Sequence, residues 1–160
     1  MAIYEPQYVC TGDEVAVIKT AKGTIKFTFY CEDAPKHAAA FVELAEKGFY
    51  DGTKFHRVEP NFVIQGGDPY SRDGGGPEGT GGPGYDLAAE FNSRPHLDGT
   101  VAMARSGHPD SAGSQFYICV GPQSFLNNNY TVFGQVTEGL DVVHATERGD
   151  VMESVTIERP

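Results

Sequence analysis

Hydrophobic and polar residues alternate most cleanly over Thr24–Tyr30, with Ile25, Phe27 and Phe29 on one side and Lys26, Thr28 and Tyr30 on the other. That two-residue period predicts a strand. Val15–Thr20 is an apolar run just ahead of it, and Ala21-Lys22-Gly23 offers a short loop in which glycine can take positive φ, so the pair predicts a hairpin. Asp33-Ala34-Pro35 then opens a helix, with Asp33 as N-cap and Pro35 in the first turn, where its missing N–H costs nothing. Ala38, Phe41, Val42, Leu44 and Ala45 recur at helical spacing, Glu43 and Lys47 stand four apart as an ion pair, and Gly48 ends the pattern, which places the helix at 34–47.

After a turn at Phe49-Tyr50-Asp51-Gly52, two short β-like runs flank Pro60-Asn61 between Phe55 and Asp68. Pro suits the first central position of a turn and Asn tolerates the second. In the second run, Val63 and Gln65 share one face and Phe62 and Ile64 the other. Ser71–Gly84 is glycine-rich with two prolines and predicts a surface loop. Further strands are expected at 100–104, 115–120, 131–136 and 151–158, and a second helix at 139–147 with Leu140, Val143 and His144 on one side. Residues 1–13 show no usable pattern and are taken as an N-terminal extension of a single domain over 1–160. Many strands, two separated helices and no βαβ alternation predict a mainly β fold, a closed antiparallel barrel or sandwich capped by helices.

Composition narrows the partners. Twelve basic against 22 acidic residues give a formal charge of −10, which argues against nucleic acid or an anionic membrane as the main partner. No run approaches a membrane span, and the first residues lack a signal-peptide layout. Cys10, Cys31 and Cys119 are odd in number and widely spaced, which favours free thiols and a cytoplasmic location. No coiled-coil pattern or long apolar edge is evident, so a monomer is expected.

Most familiar chemistries are poorly served. Gly79-Thr80-Gly81-Gly82-Pro83-Gly84 spells a dinucleotide-loop pattern, but Pro83 and the polar run before it spoil the required strand-to-helix context. The five histidines have no metal-binding companions, so neither metal nor cofactor is expected. Ser114 lacks the nucleophile-elbow glycines, and His56 is better explained as hydrogen-bonded structure than as a general base. Arg57 stands among Phe55, Val58, Phe62, Val63 and Ile64, a costly place for a guanidinium unless it snorkels to water or meets a ligand. Apolar walls, amide groups and one guanidinium, without a nucleophile or acid–base pair, suit holding an extended peptide or rotating a bond better than breaking one.

Phe55-His56-Arg57, Phe62-Val63-Ile64-Gln65-Gly66-Gly67-Asp68, Ala112-Gly113-Ser114-Gln115-Phe116-Tyr117-Ile118 and Val132-Phe133-Gly134, in this order, resemble the cyclophilin family of peptidyl-prolyl isomerases. The likeness runs from about Val15 to Ile157. It implies a closed eight-stranded antiparallel barrel capped by two helices, with the active site on the outer face. It implies isomerisation of X–Pro bonds in proline-containing peptides and unfolded chains, without cofactor. By position, Arg57 matches the catalytic arginine, while Gln65 and Gln115 match the groups that orient it and the peptide. Phe62, Val63, Tyr117 and Leu126 match the proline pocket, and Ala104 and Arg105 the segment whose backbone pairs with the bound chain. Phe125 and Tyr130 fall where many animal members carry Trp and His, which argues against tight cyclosporin binding and leaves at most a weak one.

Other departures are local. Loop 107–111 is one residue longer than in animal members, and Tyr117 replaces Phe, so its hydroxyl needs a partner or water at the pocket rim. Asn61 stands where Gly is common, and Glu59, where an apolar residue is common, shares a strand face with Arg57 and can pair with it. The alternative to an isomerase is a proline-peptide-binding module or holdase chaperone, for which Arg57 would be unnecessary.

Overall fold

The computed structural model describes residues 2–160. Its strands are β1 (Val15–Thr20), β2 (Gly23–Phe29), β3 (Arg57–Glu59), β4 (Val63–Gly66), β5 (Thr100–Met103), β6 (Phe116–Cys119), β7 (Val132–Glu138) and β8 (Ser154–Glu158). The helices are α1 (Pro35–Glu46), α2 (Tyr70–Asp73) and α3 (Leu140–Ala145), with a 3-10 turn at Ser124–Leu126. All eight strands join one antiparallel sheet in the order β3-β4-β6-β5-β7-β2-β1-β8.

The barrel is not fully closed, contrary to expectation. Among the described residues no ladder joins the end strands β3 and β8; a single bridge, Lys54 to Val151, stands between them. Around it, the amides of Phe55 and Met152 donate to the carbonyls of Asp150 and Thr53, so loop backbone covers the seam. The sheet is curled and almost closed. The glycine-rich stretch also begins with a helical turn, α2, where only loop was expected.

The concave side is packed around Phe41 of α1, which meets Phe27, Tyr50, Phe116 and Phe133 at ring-centroid distances of 5.2, 4.8, 5.4 and 5.7 Å. The expected α1 face is all buried. Gly48, at φ +74°, ends the helix as expected. α1 packs against β7 and β8, and α3 against β2. α3 buries Val142 and Val143, whereas Leu140 and His144 point outward and His144 binds Asp98, so the face expected for this helix is shifted.

A smaller cluster of Val63, Ala102, Tyr117, Cys119, Leu126 and Val132 lies on the other face of the sheet. Strand β6 is therefore covered on both faces: Phe116 and Ile118 enter the main core, Tyr117 and Cys119 the outer cluster. Its uninterrupted apolar run is the signature of that position.

Two local expectations about α1 fail for one reason. Asp33 does not cap the helix; Ala34 holds that position without a side-chain bond, and Asp33 binds Arg94 Nε at 2.7 Å. The cap comes from Glu90, 54 residues on from Lys36, whose carboxylate accepts the Lys36 and His37 amides at 3.1 and 2.8 Å and lies 2.7 Å from His37 Nδ1. Burial pushes the Glu90 carboxyl up, but these bonds outweigh it and bring it below its usual value. Glu43 likewise is not spent on Lys47: it accepts the Tyr4 hydroxyl and the Gln7 and Tyr8 amides at 2.7, 2.7 and 2.9 Å. Those bonds fix the N-terminal extension, in which no pattern was legible.

The cysteines also differ from expectation. Cys10 and Cys31 form a disulfide, joining the N-terminal extension to the turn after β2. Only Cys119 is free; it is buried, and burial pushes its thiol up to about 12, which leaves it unreactive.

Glu90→Ala should cost about 2–4 kcal/mol in urea unfolding, because it orphans two helix amides and a buried imidazole. Asp33→Ala, at an exposed pair, should cost at most about 1 kcal/mol. The reverse ranking would restore Asp33 as the cap.

Candidate active site

Sheet register assembles the site. Arg57 of β3 lies opposite Gln65 of β4, Gln65 opposite Tyr117 of β6, and Tyr117 opposite Ala102 of β5. Residues scattered over sixty positions thus fall on one line across the outer face. A cavity of about 130 Å³ opens on that line. Phe62, Val63, Tyr117, Leu126 and Tyr130 give its apolar and aromatic walls, while Arg57, Gln65, Ala104 and Arg105 complete the lining.

Two of the expected residues stand off this cavity. Phe125 is 67% exposed at its edge, stacked on Phe62 with centroids 5.6 Å apart. Gln115 lines the neighbouring glycine-rich groove. Phe62 departs from the strand alternation: it sits in the turn before β4 and packs with the outer cluster, not beside Ile64. Asn61 in that turn takes φ +58°, which Asn tolerates.

Arg57 is exposed at the cavity edge and held on one side. Its guanidinium donates to Gln65 Oε1 at 3.3 Å, and its Cζ is 5.7 Å from the Phe62 ring centre. Gln65 Nε2 in turn donates to Gln115 Oε1 at 3.1 Å. Gln115 Nε2 donates to the carbonyls of Gly79 and Gly81 at 3.0 and 2.9 Å. Two carbonyls accept only from an amide NH₂, so the outer bonds fix which way both glutamines face. Gln65 therefore presents oxygen to the arginine. Glu59 Oε1 lies 3.7 Å from Arg57 Nε, and both side chains are about half exposed.

The loop end of this relay is fastened by Asp68, fully buried, whose Oδ2 accepts the Gly79 amide and whose Oδ1 accepts the Tyr70 amide at 2.8 Å. Gly67, at φ +91°, leaves no room for a side chain: a Cβ there would sit 2.6 Å from the Ser114 carbonyl oxygen. Asp68 stands in a quoted motif, yet its task was not legible, because its partner is a loop eleven residues away.

Tyr117 finds its hydroxyl partner inside, not at the rim. The oxygen is 2.8 Å from Nε2 of His96, a residue only 1% exposed. His96 Nδ1 is 3.1 Å from Asn127 Oδ1, an acceptor, so Nδ1 carries the proton and Nε2 accepts from the phenol. Burial pushes the imidazole below its usual value, partly offset by the Asn127 bond, and burial pushes the Tyr117 phenol up. Sequence reasoning missed His96 and Asn127. The extra hydroxyl at Tyr117 was the one signal that a buried acceptor had to exist.

Arg105 is fully engaged and is not a second free cation: Nε and an Nη donate to the Asn129 carbonyl at 3.0 and 2.9 Å, and Cζ lies 4.9 Å from the Tyr130 ring centre. His56 is buried, with Nδ1 unpartnered among the described residues, and lines a separate depression with Arg57, Glu59 and Glu78. No helix opens at Gly79–Gly84, so the glycine pattern there has none of the geometry of a dinucleotide loop.

Residues 15–160 match the family described as cyclophilin type peptidyl-prolyl cis-trans isomerase/CLD. A peptidyl-prolyl cis-trans isomerase of Synechococcus elongatus is 47% identical over 144 residues, covering 89% of this chain and 94% of that protein. Peptidyl-prolyl cis-trans isomerase B of Bacillus subtilis is 47% identical over 136 residues, covering 84% and 90%. A cyclophilin-type isomerase of Cryptosporidium parvum superposes with a TM-score of 0.82 at 27% identity, covering 96% of this chain and 99% of that one. The same protein in the presence of the dipeptide Ala-Pro superposes with a TM-score of 0.76, covering 91% and 98%. With 146 of its 160 residues inside the family match and bacterial relatives matched over nearly their whole length, the chain belongs to the cyclophilin-type peptidyl-prolyl cis-trans isomerases.

Proposed function

We propose that this enzyme isomerises X–Pro bonds by stabilising the twisted amide with Arg57, while Phe62, Val63, Tyr117 and Leu126 hold the proline ring. The observation that carries this reading is a guanidinium, fixed by Gln65, at the edge of an apolar cavity small enough for one ring. An X–Pro bond resists rotation by about 18–20 kcal/mol because of amide resonance. At 90° of twist the proline nitrogen regains a lone pair that the planar amide lacks. A donor aimed at that nitrogen binds the transition state more strongly than either planar state, which lowers the barrier. The apolar walls keep the ring still and exclude water that would compete for the donor.

Gln115 and the Ala104–Arg105 backbone border the path of the bound chain, and the Phe125–Phe62 stack extends an apolar platform beyond the pocket. These features support action on extended proline-containing peptides and unfolded chains, with a holdase contribution from the platform. No cofactor, nucleic acid or membrane takes part in this reading. The protein acts as a monomeric single domain over 1–160, with 1–13 as its extension. Phe125 lacks an indole donor, so cyclosporin binds weakly at best. The cytoplasmic expectation loses the support it drew from three free thiols, since two are paired. No described helix is long and apolar enough to cross a membrane.

In a protease-coupled assay on an Ala-Pro peptide, Arg57→Ala should lower kcat/KM about 10²–10³-fold, the scale for removing one transition-state donor. Equal activity of wild type and variant would leave only the binding-module reading. Glu59→Ile should raise kcat/KM up to about fivefold at low salt, because an exposed pair worth at most about 1 kcal/mol no longer competes for Arg57. Unchanged kcat/KM together with unchanged salt dependence would refute that competition.

The reaction itself moves no proton, so the rate should be flat from pH 6.5 to 8. His96 sets the acid limit: its folded value lies below the unfolded one, so its neutral, phenol-accepting form prevails above pH about 6.5 and is lost as pH falls through the lowered value. Tyr117→Phe should remove the acid-side fall in kcat/KM. A variant that keeps the same fall assigns it to another group.

A further inference from the structure

The Cys10–Cys31 disulfide lies against a buried charge that a plain staple does not require. Glu14, with no exposure, directs Oε1 at both sulfurs, 3.6 Å from Cys10 Sγ and 3.9 Å from Cys31 Sγ. The Gly12 amide donates to the same oxygen, and the Tyr8 hydroxyl and Thr11 amide donate to Oε2. Burial pushes the Glu14 carboxyl up, but these donors outweigh it and hold it at about 2, so it is an anion at neutral pH. Disulfide sulfurs have no proton to offer, and a carboxylate gains nothing from their lone pairs. Two thiols do have protons to offer, and both can donate to Oε1. The arrangement favours the reduced pair.

The disulfide also sits at one end of a segment that reaches the substrate side. From Cys10 the chain runs back through Tyr8 and Gln7, tied to Glu43, to Tyr4. Tyr4 stacks on Tyr85 with centroids 4.3 Å apart, and its amide donates to the Asp86 carbonyl at 2.8 Å. The Asp86 amide returns a bond to the Ala2 carbonyl at 3.0 Å. Tyr85 and Asp86 line the glycine-rich groove that adjoins the proline pocket through Gln65, Ala104 and Arg105.

We propose that Cys10, Cys31 and Glu14 form a thiol–disulfide exchange site for a dithiol reductant, and that its oxidation state sets how firmly the N-terminal segment supports the groove wall. A thiolate of the reductant attacks one sulfur, the Cys10–Cys31 bond breaks, and a mixed disulfide forms. The reductant's second thiolate attacks that mixed disulfide and leaves as a cyclic or intramolecular disulfide. Two electrons pass to the protein, and the two protons of the dithiol end on Cys10 and Cys31, where Glu14 accepts both S–H groups. Both cysteines are half-buried, so the attacking thiol has access, whereas Cys119 has none.

The test uses the full chain in dithiothreitol buffers of graded oxidised-to-reduced ratio, without denaturant, with iodoacetamide trapping and mass readout. Two cysteines should become alkylated while the fold persists and Cys119 stays protected. A pair that resists reduction until the chain unfolds is a static staple, and the proposal is then wrong. Glu14→Gln should shift the exchange equilibrium toward the disulfide about tenfold, equivalent to about 30 mV. If that variant does not fold, Glu14→Asp, which draws the carboxylate back from the sulfurs, should shift it in the same direction. An unchanged equilibrium in the folded variant removes Glu14 from the site. In Cys10→Ser/Cys31→Ser, amide exchange at Tyr4 and Asp86 should run about tenfold faster than in the oxidised protein, as the local opening becomes cheaper. Equal rates would overturn the coupling to the groove. None of these readouts involves isomerase turnover, so their failure is separate from failure of the proposed mechanism.

Discussion

One run of side-chain amides governs the outer face of this protein. Arg57 is held by Gln65, Gln65 by Gln115, and Gln115 by two carbonyls of the glycine-rich loop, whose Gly79 amide is pinned by buried Asp68. Each amide has one acceptor end and one donor end, so the order cannot be reversed without breaking the bonds to Gly79 and Gly81. An exposed guanidinium without such partners samples several rotamers. Here that freedom is removed by neighbours whose own orientation is settled at a distance from the cavity. The loop's glycines follow from the same constraint, because its backbone must approach both Asp68 and Gln115.

The curled sheet makes such a relay possible at its surface. Large rings from α1, β2, β6 and β7 fill the inner side, and β6 is buried on both faces. The outer cluster beneath the cavity therefore rests on a strand that cannot shift without disturbing the main core. Tyr117 is fixed from both ends of its side chain, by packing beside Val63 and Leu126 and by its hydroxyl on His96. Asn127, which orients His96, follows directly on Leu126, so the hydroxyl network and the apolar wall share one short segment.

Patterns with short range were legible in the sequence. The hairpin, α1, the Pro60-Asn61 turn and most strands lie within two residues of where alternation and helical spacing put them, because they depend on neighbours in the chain. The motif resemblance located the residues that line the cavity, though a resemblance carries roles and not geometry. What escaped was any pairing chosen by tertiary contact. Asp33 was the reasonable cap on local grounds, yet Glu90 reaches the same amides and leaves Asp33 to Arg94. Phe62 followed a period-two argument, but the turn ends before β4 begins, so the period does not include it. Cys10 and Cys31 are separated by 21 residues with no paired spacing, and only the path of the extension brings their Cα atoms within 5.6 Å. Closure of the barrel was overdrawn for a related reason: strand count does not say whether the end strands meet.

Three buried or half-buried carboxylates then explain how a chain of net charge −10 keeps its non-sheet segments in order. Glu43 and Glu90 each gather two backbone amides from another stretch of chain, Glu14 gathers those of Thr11 and Gly12 just before it, and each carboxyl ends below its ordinary value despite burial. Charged acceptors are stronger than neutral ones, so one side chain replaces several local caps. Glu90 fixes the start of α1, Glu43 fastens the extension to the middle of α1, and Glu14 turns the chain from Cys10 into β1. The two sides of the outer groove are thus supported differently. The arginine side rests on a relay of glutamines braced by the sheet, and the opposite wall, at Tyr85 and Asp86, rests on an extension held by ionised acids and one disulfide. A reductant acts on the second support alone, so modulation through the disulfide enters at the Tyr85–Asp86 wall while the bond from Arg57 to Gln65 stays in place.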